Sequence, residues 1–405
     1  MQRSSVPDGT AGLKRASSAV VIHFGELWLK GRNRSAFIGA LRANVDSALA
    51  GERGIRLEHG GDRFMLYLGN GSDTASILGK LGRVFGISWF SPVTFAGNDI
   101  DGIVEAAKGV VQPSATVRVV ANRSFKGVGF TSSDIVGAFV KRADELPFGF
   151  DKNAKSKLFV NVTRGRTLLY TDKIRGAGGL PVGVSGSGVV LFSGGIDSPV
   201  ASYYAMKRGL RPVYVHVHAL HSNAEAERSK IGRLLDILSG YCSSYVIYYV
   251  PAHVFQARVI GAPAKYELVL FKRFLMALAA RVAGVEGAQT IVTGEALGQV
   301  ASQTVRNMIA SERRDRLLIM RPLIGFDKQE IIDRAVAIGT YAASTEPYRD
   351  VCSMRAHNPA TGANPERIDA LYSGLDLDRT VEETLAKATR IEPSCERVPV
   401  KQSLK

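Results

Sequence analysis

The apolar positions of this chain fall into two regimes that meet at a glycine-rich stretch. In the first, short strands and helices are mixed. Residues 19–24 read as a strand and 34–49 as a helix whose apolar face repeats through Phe37, Leu41, Val45 and Leu49. With a further strand over 64–68 they predict a small α+β unit at 18–72, after a Ser/Gly/Lys-rich start at 1–17 that reads as disordered. A helix over 77–84, strands over 88–94 and 116–120, and a helix over 133–143 predict a second unit, 73–174. It closes on a hairpin of 158–163 with 167–170 around Arg164-Gly165-Arg166.

Residues 176–188 carry six glycines and read as a linker. A Gly-x-Gly occurs there, but no third glycine and no helix follow at dinucleotide-binding spacing. Beyond it the rhythm changes. Apolar strands at 189–192, 212–217, 244–250 and 290–293 alternate with helical stretches at 224–238, 268–283 and 328–338. That alternation predicts a parallel α/β sheet over 175–385, with a tail at 386–405. Ligands of such sheets sit at the carboxyl ends of the strands, where Ser193, His216 and Gly294-Glu295 fall.

The first of these strand ends is chemically the most informative. Leu191 and Phe192 run into Ser193-Gly194-Gly195, whose backbone N–H groups can close around an anion. Ser198 is a suitable N-cap and Pro199 a suitable first helical residue, so a helix N-terminus is expected to face the same anion. Asp197 stands at the mouth, where a carboxylate can hold Mg2+ against phosphate oxygens. No Gly-Lys-Ser/Thr follows, so this is not a Walker A loop. It resembles the pyrophosphate loop of enzymes that split ATP into AMP and pyrophosphate. An ordinary strand–turn–helix corner would need the run Ser-Gly-Gly-x-Asp-Ser to arise by chance.

Composition narrows the partners. Lys and Arg number 52 against 37 Asp and Glu, a net charge of +15, which points to a polyanion and to nucleic acid before membrane. The three cysteines, Cys242, Cys352 and Cys395, are too few and too far apart for a disulfide framework or a zinc site. The apolar run at 274–280 is too short to span a bilayer, and no apolar signal region precedes Ala19, so a cytoplasmic protein with reduced thiols is expected.

Longer motifs carry a family resemblance over residues 20–365. The opening Phe24-Gly-Glu-Leu-Trp-Leu-Lys-Gly-Arg-Asn-Arg34, the run Gly178-Gly-Leu-Pro-Val-Gly183 into the loop, Gly294-Glu-Ala-Leu-Gly-Gln-Val-Ala-Ser-Gln-Thr304 and Arg321-Pro-Leu-Ile-Gly-Phe-Asp-Lys328 occur in order. The chain resembles the tRNA 4-thiouridine synthetase family, tRNA sulfurtransferases that also figure in thiamine biosynthesis in some bacteria. The resemblance implies a ferredoxin-like domain, a THUMP RNA-binding domain and a pyrophosphate-loop ATPase domain. It puts ATP contacts on Leu191, Phe192, His216, Val217, Arg273, Gly294 and Gln303, with Ser193, Gly194, Gly195 and Ser198 forming the loop. The essential aspartate and lysine match Asp197 and Lys328, and the sulfur-carrying cysteine matches Cys352.

The chain departs from that family in two places: His216-Val-His-Ala-Leu-His221 replaces a differently composed segment, and the sequence stops at 405, short of a rhodanese domain. The second implies an external persulfide carrier or free sulfide as the sulfur source. No cysteine stands on the helix around Lys272, so no iron–sulfur cluster is expected.

Bland readings compete at several positions. Most free cysteines are buried packing residues, but Arg349, Asp350, Ser353 and Arg355 place Cys352 in a loop. Cys242 and Cys395 read as ordinary cysteines. Asp327 and Glu330 make a capping box, which leaves Lys328 against the helix dipole unless an anion holds it. His216, His218 and His221 lack a fourth ligand, so no metal site is expected at them. Lys30, Arg32, Arg34, Arg42, Arg123 and Lys126 can track an RNA backbone, although each alone reads as a solvated charge. Two other functions share the loop: an amide-forming ligase, in which ammonia replaces sulfur, and a non-catalytic RNA-binding protein that senses ATP. A homodimer is compatible with the sequence.

Overall fold

The structure, a computed structural model, describes residues 19–25, 33–242, 244–312, 316–348, 351 and 359–393, with the backbone of 398–399. The start at 1–17, Lys30, Arg32, Cys352 and Cys395 lie outside the described residues. Two compact units divide the chain, Met1–Gly31 with Val45–Gly178 and Arg32–Asn44 with Gly179–Lys405.

The first unit contains a nine-stranded sheet among the described residues. Its elements in chain order are β1 (Ala19–Phe24), α1 (Arg34–Ala48, which has residues in both units), β2 (Ile55–Gly60), β3 (Arg63–Leu68), α2 (Thr74–Leu81) and β4 (Ile87–Ala96). There follow α3 (Ile100–Val110), β5 (Thr116–Arg123), α4 (Ser132–Lys141), β6 (Gly149–Phe150), β7 (Lys157–Val162), β8 (Thr167–Tyr170) and β9 (Ile174–Arg175). The strand order is β2-β3-β1-β4-β8-β7-β5-β6, with β9 on β4. The expected hairpin forms, Phe159 standing opposite Tyr170 and Val162 opposite Thr167.

Two elements of this unit escape the periodicity reading. In β2 the polar Arg56, Glu58 and His59 leave little apolar alternation to see. In α3 the buried Ile103, Val104 and Ala107 do keep helical spacing, and Asp99 caps the helix by accepting from the Gly102 N–H. The expected helix at 77–84 lies three residues earlier, because Asp73 accepts from the Ser76 N–H and starts it there.

The second unit is built on a sheet of order β14-β13-β10-β11-β12-β15-β16. Its elements are β10 (Ser187–Leu191), α5 (Asp197–Lys207), β11 (Arg211–His218), α6 (Asn223–Arg228), α7 (Lys230–Ser239), β12 (Val246–Pro251), α8 (His253–Arg258), α9 (Ala264–Glu286) and β13 (Thr290–Val292). Then come α10 (Val305–Ser311), β14 (Leu318–Met320), α11 (Lys328–Ala337), α12 (Tyr341–Ser344), α13 (Pro365–Gly374), α14 (Leu377–Leu385), β15 (Thr389–Ile391) and β16 (Val398–Pro399). Strands β14 to β12 are parallel, as the alternating pattern predicts. Strand β15, within the stretch read as a tail, pairs antiparallel with β12.

Alternation along β11 sorts the two faces of this sheet. Val213, Val215 and Val217 enter a core with Phe271, Phe274 and Leu278 of α9. Tyr214 points the other way, its hydroxyl 2.8 Å from that of Ser202 on α5. Helices therefore cover both faces, and His216, in phase with Tyr214, faces the α5 side. The single helix expected at 224–238 is two. Ser229 leaves helical geometry at ψ −172° and its side chain accepts from the Ile231 N–H, so it starts α7 afresh.

Candidate functional site

The carboxyl ends of β10, β11 and β13 build the site. Val190 stands beside Tyr214 on one side and Val292 on the other, so the three strands deliver Phe192, His216 and Gly294 to one edge of the sheet. At Gly194 the backbone adopts φ +82°, a left-handed conformation natural to glycine. A Cβ there would also run into Ile231.

One expectation is corrected here. Helix α5 starts at Asp197, not at Pro199, because Ile196 is already helical at φ −63°, ψ −35°. Among the described residues no side chain caps this helix end. Ser198 does not cap; its hydroxyl turns back and accepts from the Gly194 N–H at 3.3 Å. The Ser193 hydroxyl similarly accepts from the Gly195 N–H at 3.3 Å. The helix thus offers its N-terminal N–H groups and the positive end of its dipole beside a glycine loop, an arrangement suited to phosphate.

Gly294 completes the wall. A Cβ at this position would lie 3.0 Å from the Asp197 carbonyl carbon and the Ser198 nitrogen, so only glycine lets the end of β13 approach the start of α5 this closely. Across the mouth, Lys328 Nζ lies 2.7 Å from Asp197 Oδ1. The capping box at Asp327 and Glu330 is present and fixes the start of α11, of which Lys328 is the first residue. The lysine that the helix dipole disfavours is held by a carboxylate in this structure.

His216 is buried among these elements. Its Nδ1 is 2.7 Å from the Phe192 carbonyl oxygen, so that nitrogen carries the proton and donates. Nε2 must then accept, and it does so from the Tyr348 hydroxyl at 2.7 Å. Burial lowers the His216 pKa to about 3, against the Phe192 bond, which favours the charged ring. The imidazole is neutral. His218 has the opposite tautomer: Nδ1 accepts from the Leu220 N–H, so Nε2 donates to Asn223. Among the described residues no group of three or more His, Cys, Asp or Glu is placed to hold a metal.

The remaining site residues divide. Val217 packs its side chain into the core, leaving only its backbone for a ligand, and Leu191 packs at the edge of the same core. Gln303 is buried at 8% exposure and its Oε1 has no hydrogen-bond partner among the described residues, so an acceptor is left over there. Arg273 is engaged elsewhere: its guanidinium donates to the Ala310 and Glu312 carbonyls, pairs with Asp369 and lies over Tyr372.

Three groups at this end of the unit carry no role from the sequence, Glu295 being marked there only by its place at a strand end. Glu295, beside Gly294, accepts from Lys272 at 2.7 Å and from Arg321 at 3.1 Å. Burial alone would raise its pKa, but the two cations outweigh it and hold the carboxylate ionised below the usual Glu range. Lys230 is buried at 6% exposure, and Tyr348 holds His216. Their only sequence signal is position: Lys230 directly follows the capping Ser229, and Tyr348 lies in the segment that carries Cys352. Cys242 is a free thiol whose pKa burial pushes up to about 11, so it is not a ready thiolate.

Comparison with known proteins agrees with this architecture. The family described as thiamine biosynthesis protein (ThiI) matches residues 183–377, and the ThiI ferredoxin-like domain matches 19–91. The probable tRNA sulfurtransferase of Macrococcus caseolyticus is 33% identical over 91% of this chain and 94% of its own length. That of Moorella thermoacetica is 34% identical over 94% of this chain and 100% of its own. A solved structure, a 4-thiouridine synthetase–RNA complex with bound ATP, superposes with a TM-score of 0.82 at 31% identity, covering 92% of this chain and 99% of that one. The chain belongs to the thiamine biosynthesis protein (ThiI) family, alongside proteins named as tRNA sulfurtransferases.

Proposed function

We propose that this protein is an ATP-dependent tRNA sulfurtransferase that converts a uridine, at position eight of tRNA, into 4-thiouridine. The observation that carries the reading is the Asp197–Lys328 pair at the uncapped start of α5, beside the Ser193–Gly195 loop. The names of the relatives supply the reaction, and the solved complex supplies ATP and RNA as ligands. Residues 73–174 are assigned to a THUMP RNA-binding domain and 175–385 to the catalytic domain, and Arg34, Arg42, Arg123 and Lys126 to contacts with the RNA backbone.

The chemistry follows from the substrate. The C4 oxygen of uridine is a poor leaving group until it carries AMP. That oxygen attacks the α-phosphorus of ATP and pyrophosphate leaves, its charge met by the α5 N–H groups and Lys328. The Asp197–Lys328 pair opens to admit the phosphates. Mg2+ fits one protein ligand here, Asp197, with phosphate oxygens completing its shell; bound there, it would neutralise phosphate charge.

Sulfur then replaces the activated oxygen. The outer sulfur of a persulfide on Cys352 attacks C4, the C4–O bond breaks and AMP departs with the former uridine oxygen. A thiol attacks Cys352 Sγ, expels the thiouridine sulfur and leaves a disulfide, which a thiol reductant restores. An external persulfide donor reloads the free cysteine by passing on its outer sulfur and leaving as a thiol. Free sulfide can reload it only by attacking the disulfide before reduction, which forms the Cys352 persulfide and expels the other thiol.

The test combines the protein with an unmodified tRNA transcript, Mg-ATP and a persulfide donor, with mass spectrometry of the digested nucleosides. Thiouridine from the wild type and none from Cys352→Ala is the expected outcome. Thiouridine from both would remove the cysteine from the mechanism. Its absence with sulfide and with a persulfide donor would remove the function.

A further inference from the structure

We propose that Lys230 and Tyr348 are positioning residues that clamp the segment leading to Cys352 onto the anion loop, so that uridine activation and sulfur delivery occur at one place. The inference rests on the reading of Cys352 as the sulfur carrier.

Lys230 is in an unfavourable position by two measures. It is the first residue of α7, where the helix dipole repels a cation, and it is buried. What compensates is the segment before the cysteine. Its Nζ donates to the Ser344 carbonyl at 2.8 Å and the Glu346 carbonyl at 3.0 Å, and lies 5.5 Å from the centre of the Tyr348 ring. One turn along α7, Arg233 pairs with the Glu346 carboxylate. The Tyr348 hydroxyl then donates to His216. Residues 344–348 are thus held at three points by side chains of α7 and β11.

The same side chains reach the loop. His216 donates to the carbonyl of Phe192, the residue immediately before Ser193. The Lys230 Cε lies 3.5 Å from where a Gly194 Cβ would stand. Cys352 follows Tyr348 by four residues, a tether of at most roughly 14 Å between their Cα atoms. Its neighbour Val351 is anchored as well, 1% exposed within the core of the unit. Neither clamp residue touches the reacting atoms; each acts by restricting where the cysteine segment can be.

The measurement is the ratio of AMP formed to thiouridine formed, with the full-length protein, tRNA transcript, Mg-ATP and a persulfide donor. In the wild type the ratio is expected near one. In Tyr348→Phe and Lys230→Met it is expected to rise at least about tenfold, because adenylated uridine is hydrolysed by water before sulfur arrives. Lys230→Arg, which keeps the donors, is expected to recover part of the coupling. A variant that merely folds less well lowers both products together and leaves the ratio at one. A ratio within about twofold of wild type in both Tyr348→Phe and Lys230→Met overturns the clamp. Cys352→Ala separates the two claims: thiouridine from that variant sinks the cysteine reading. AMP without thiouridine from it, beside an unchanged ratio in both Tyr348→Phe and Lys230→Met, sinks the clamp alone.

Discussion

Lys328 and Asp197 are separated by 131 residues and lie 2.7 Å apart, closing the mouth of the anion loop from opposite sides. Their side chains are 49% and 27% exposed, so an ion pair of this kind contributes only about 0–1 kcal/mol to stability. A purely structural pair would therefore matter little. Lys328→Ala and Asp197→Asn are expected to unfold in urea near the wild-type midpoint, yet to lose about 10²–10³-fold in tRNA-dependent pyrophosphate release. Activity within tenfold of wild type in both variants would show that the pair is only a surface contact.

The close approach of Gly294 to α5 makes a sharper steric prediction. Gly294→Ala puts a methyl group 3.0 Å from the backbone of Asp197 and Ser198, where no flexible side chain can give way. The start of α5 must shift, at a cost of about 1–3 kcal/mol, and its N–H groups move with it. Calorimetric titration with a non-hydrolysable ATP analogue is expected to show affinity reduced by at least about tenfold, a loss of ~1.4 kcal/mol. Wild-type affinity would mean that the phosphates bind elsewhere.

What is legible in the sequence follows from chain locality. The loop and the strand leading into it are contiguous, so Gly194 and Asp197 stand out from residue order, whereas Phe192 and Lys328 are singled out only through the family resemblance. The start of α5 is misread because Ser198-Pro199 is a good helix-start signal, while the fold needs the serine hydroxyl for Gly194. Lys230, Glu295 and Tyr348 are invisible as a group. A buried lysine in an amphipathic helix looks like any solvated charge until Ser344 and Glu346, over a hundred residues on, are folded against it. Arg273 shows the converse, since its sequence position cannot reveal that the carbonyls ending α10 occupy it.

Glu295 is the most heavily committed carboxylate near the site, 13% exposed and shared between Lys272 and Arg321. Glu295→Gln removes the charge between two partly buried cations, of which Arg321 keeps Glu312 as a partner, and is expected to cost about 1–3 kcal/mol at pH 7. The wild-type advantage depends on pH in a defined sense. The folded carboxyl holds its proton less tightly than the unfolded one, so its contribution is complete above the ordinary Glu pKa of about 4.3. It is lost as pH falls below that value through the folded pKa. Urea unfolding at pH 7 and pH 3.5 is expected to show a gap between wild type and Glu295→Gln that narrows in acid. An equal gap at both would mean that the loss comes from packing rather than charge.

His216 titrates in the opposite chemical sense but destabilises in the same direction. Its ring is neutral when folded, with a pKa lowered to about 3, whereas the unfolded ring takes up a proton near pH 6.5. Between those values the unfolded state binds the extra proton, so stability is complete above about 6.5 and falls on acidification. The loss from this one residue is about 2 kcal/mol between pH 7 and pH 5, and any folded pKa well below 5 gives the same figure. His23 and His218, also lowered by burial, add slopes of their own, so the informative quantity is the difference between wild type and His216→Gln. That variant is expected to be less stable at pH 7, because the Phe192 carbonyl and the Tyr348 hydroxyl lose their partner. It is also expected to lose less on going to pH 5, so the two stability curves converge. Parallel curves would require the folded imidazole to take up its proton as readily as the unfolded one, and the tautomer that links Phe192 to Tyr348 through His216 would then be wrong.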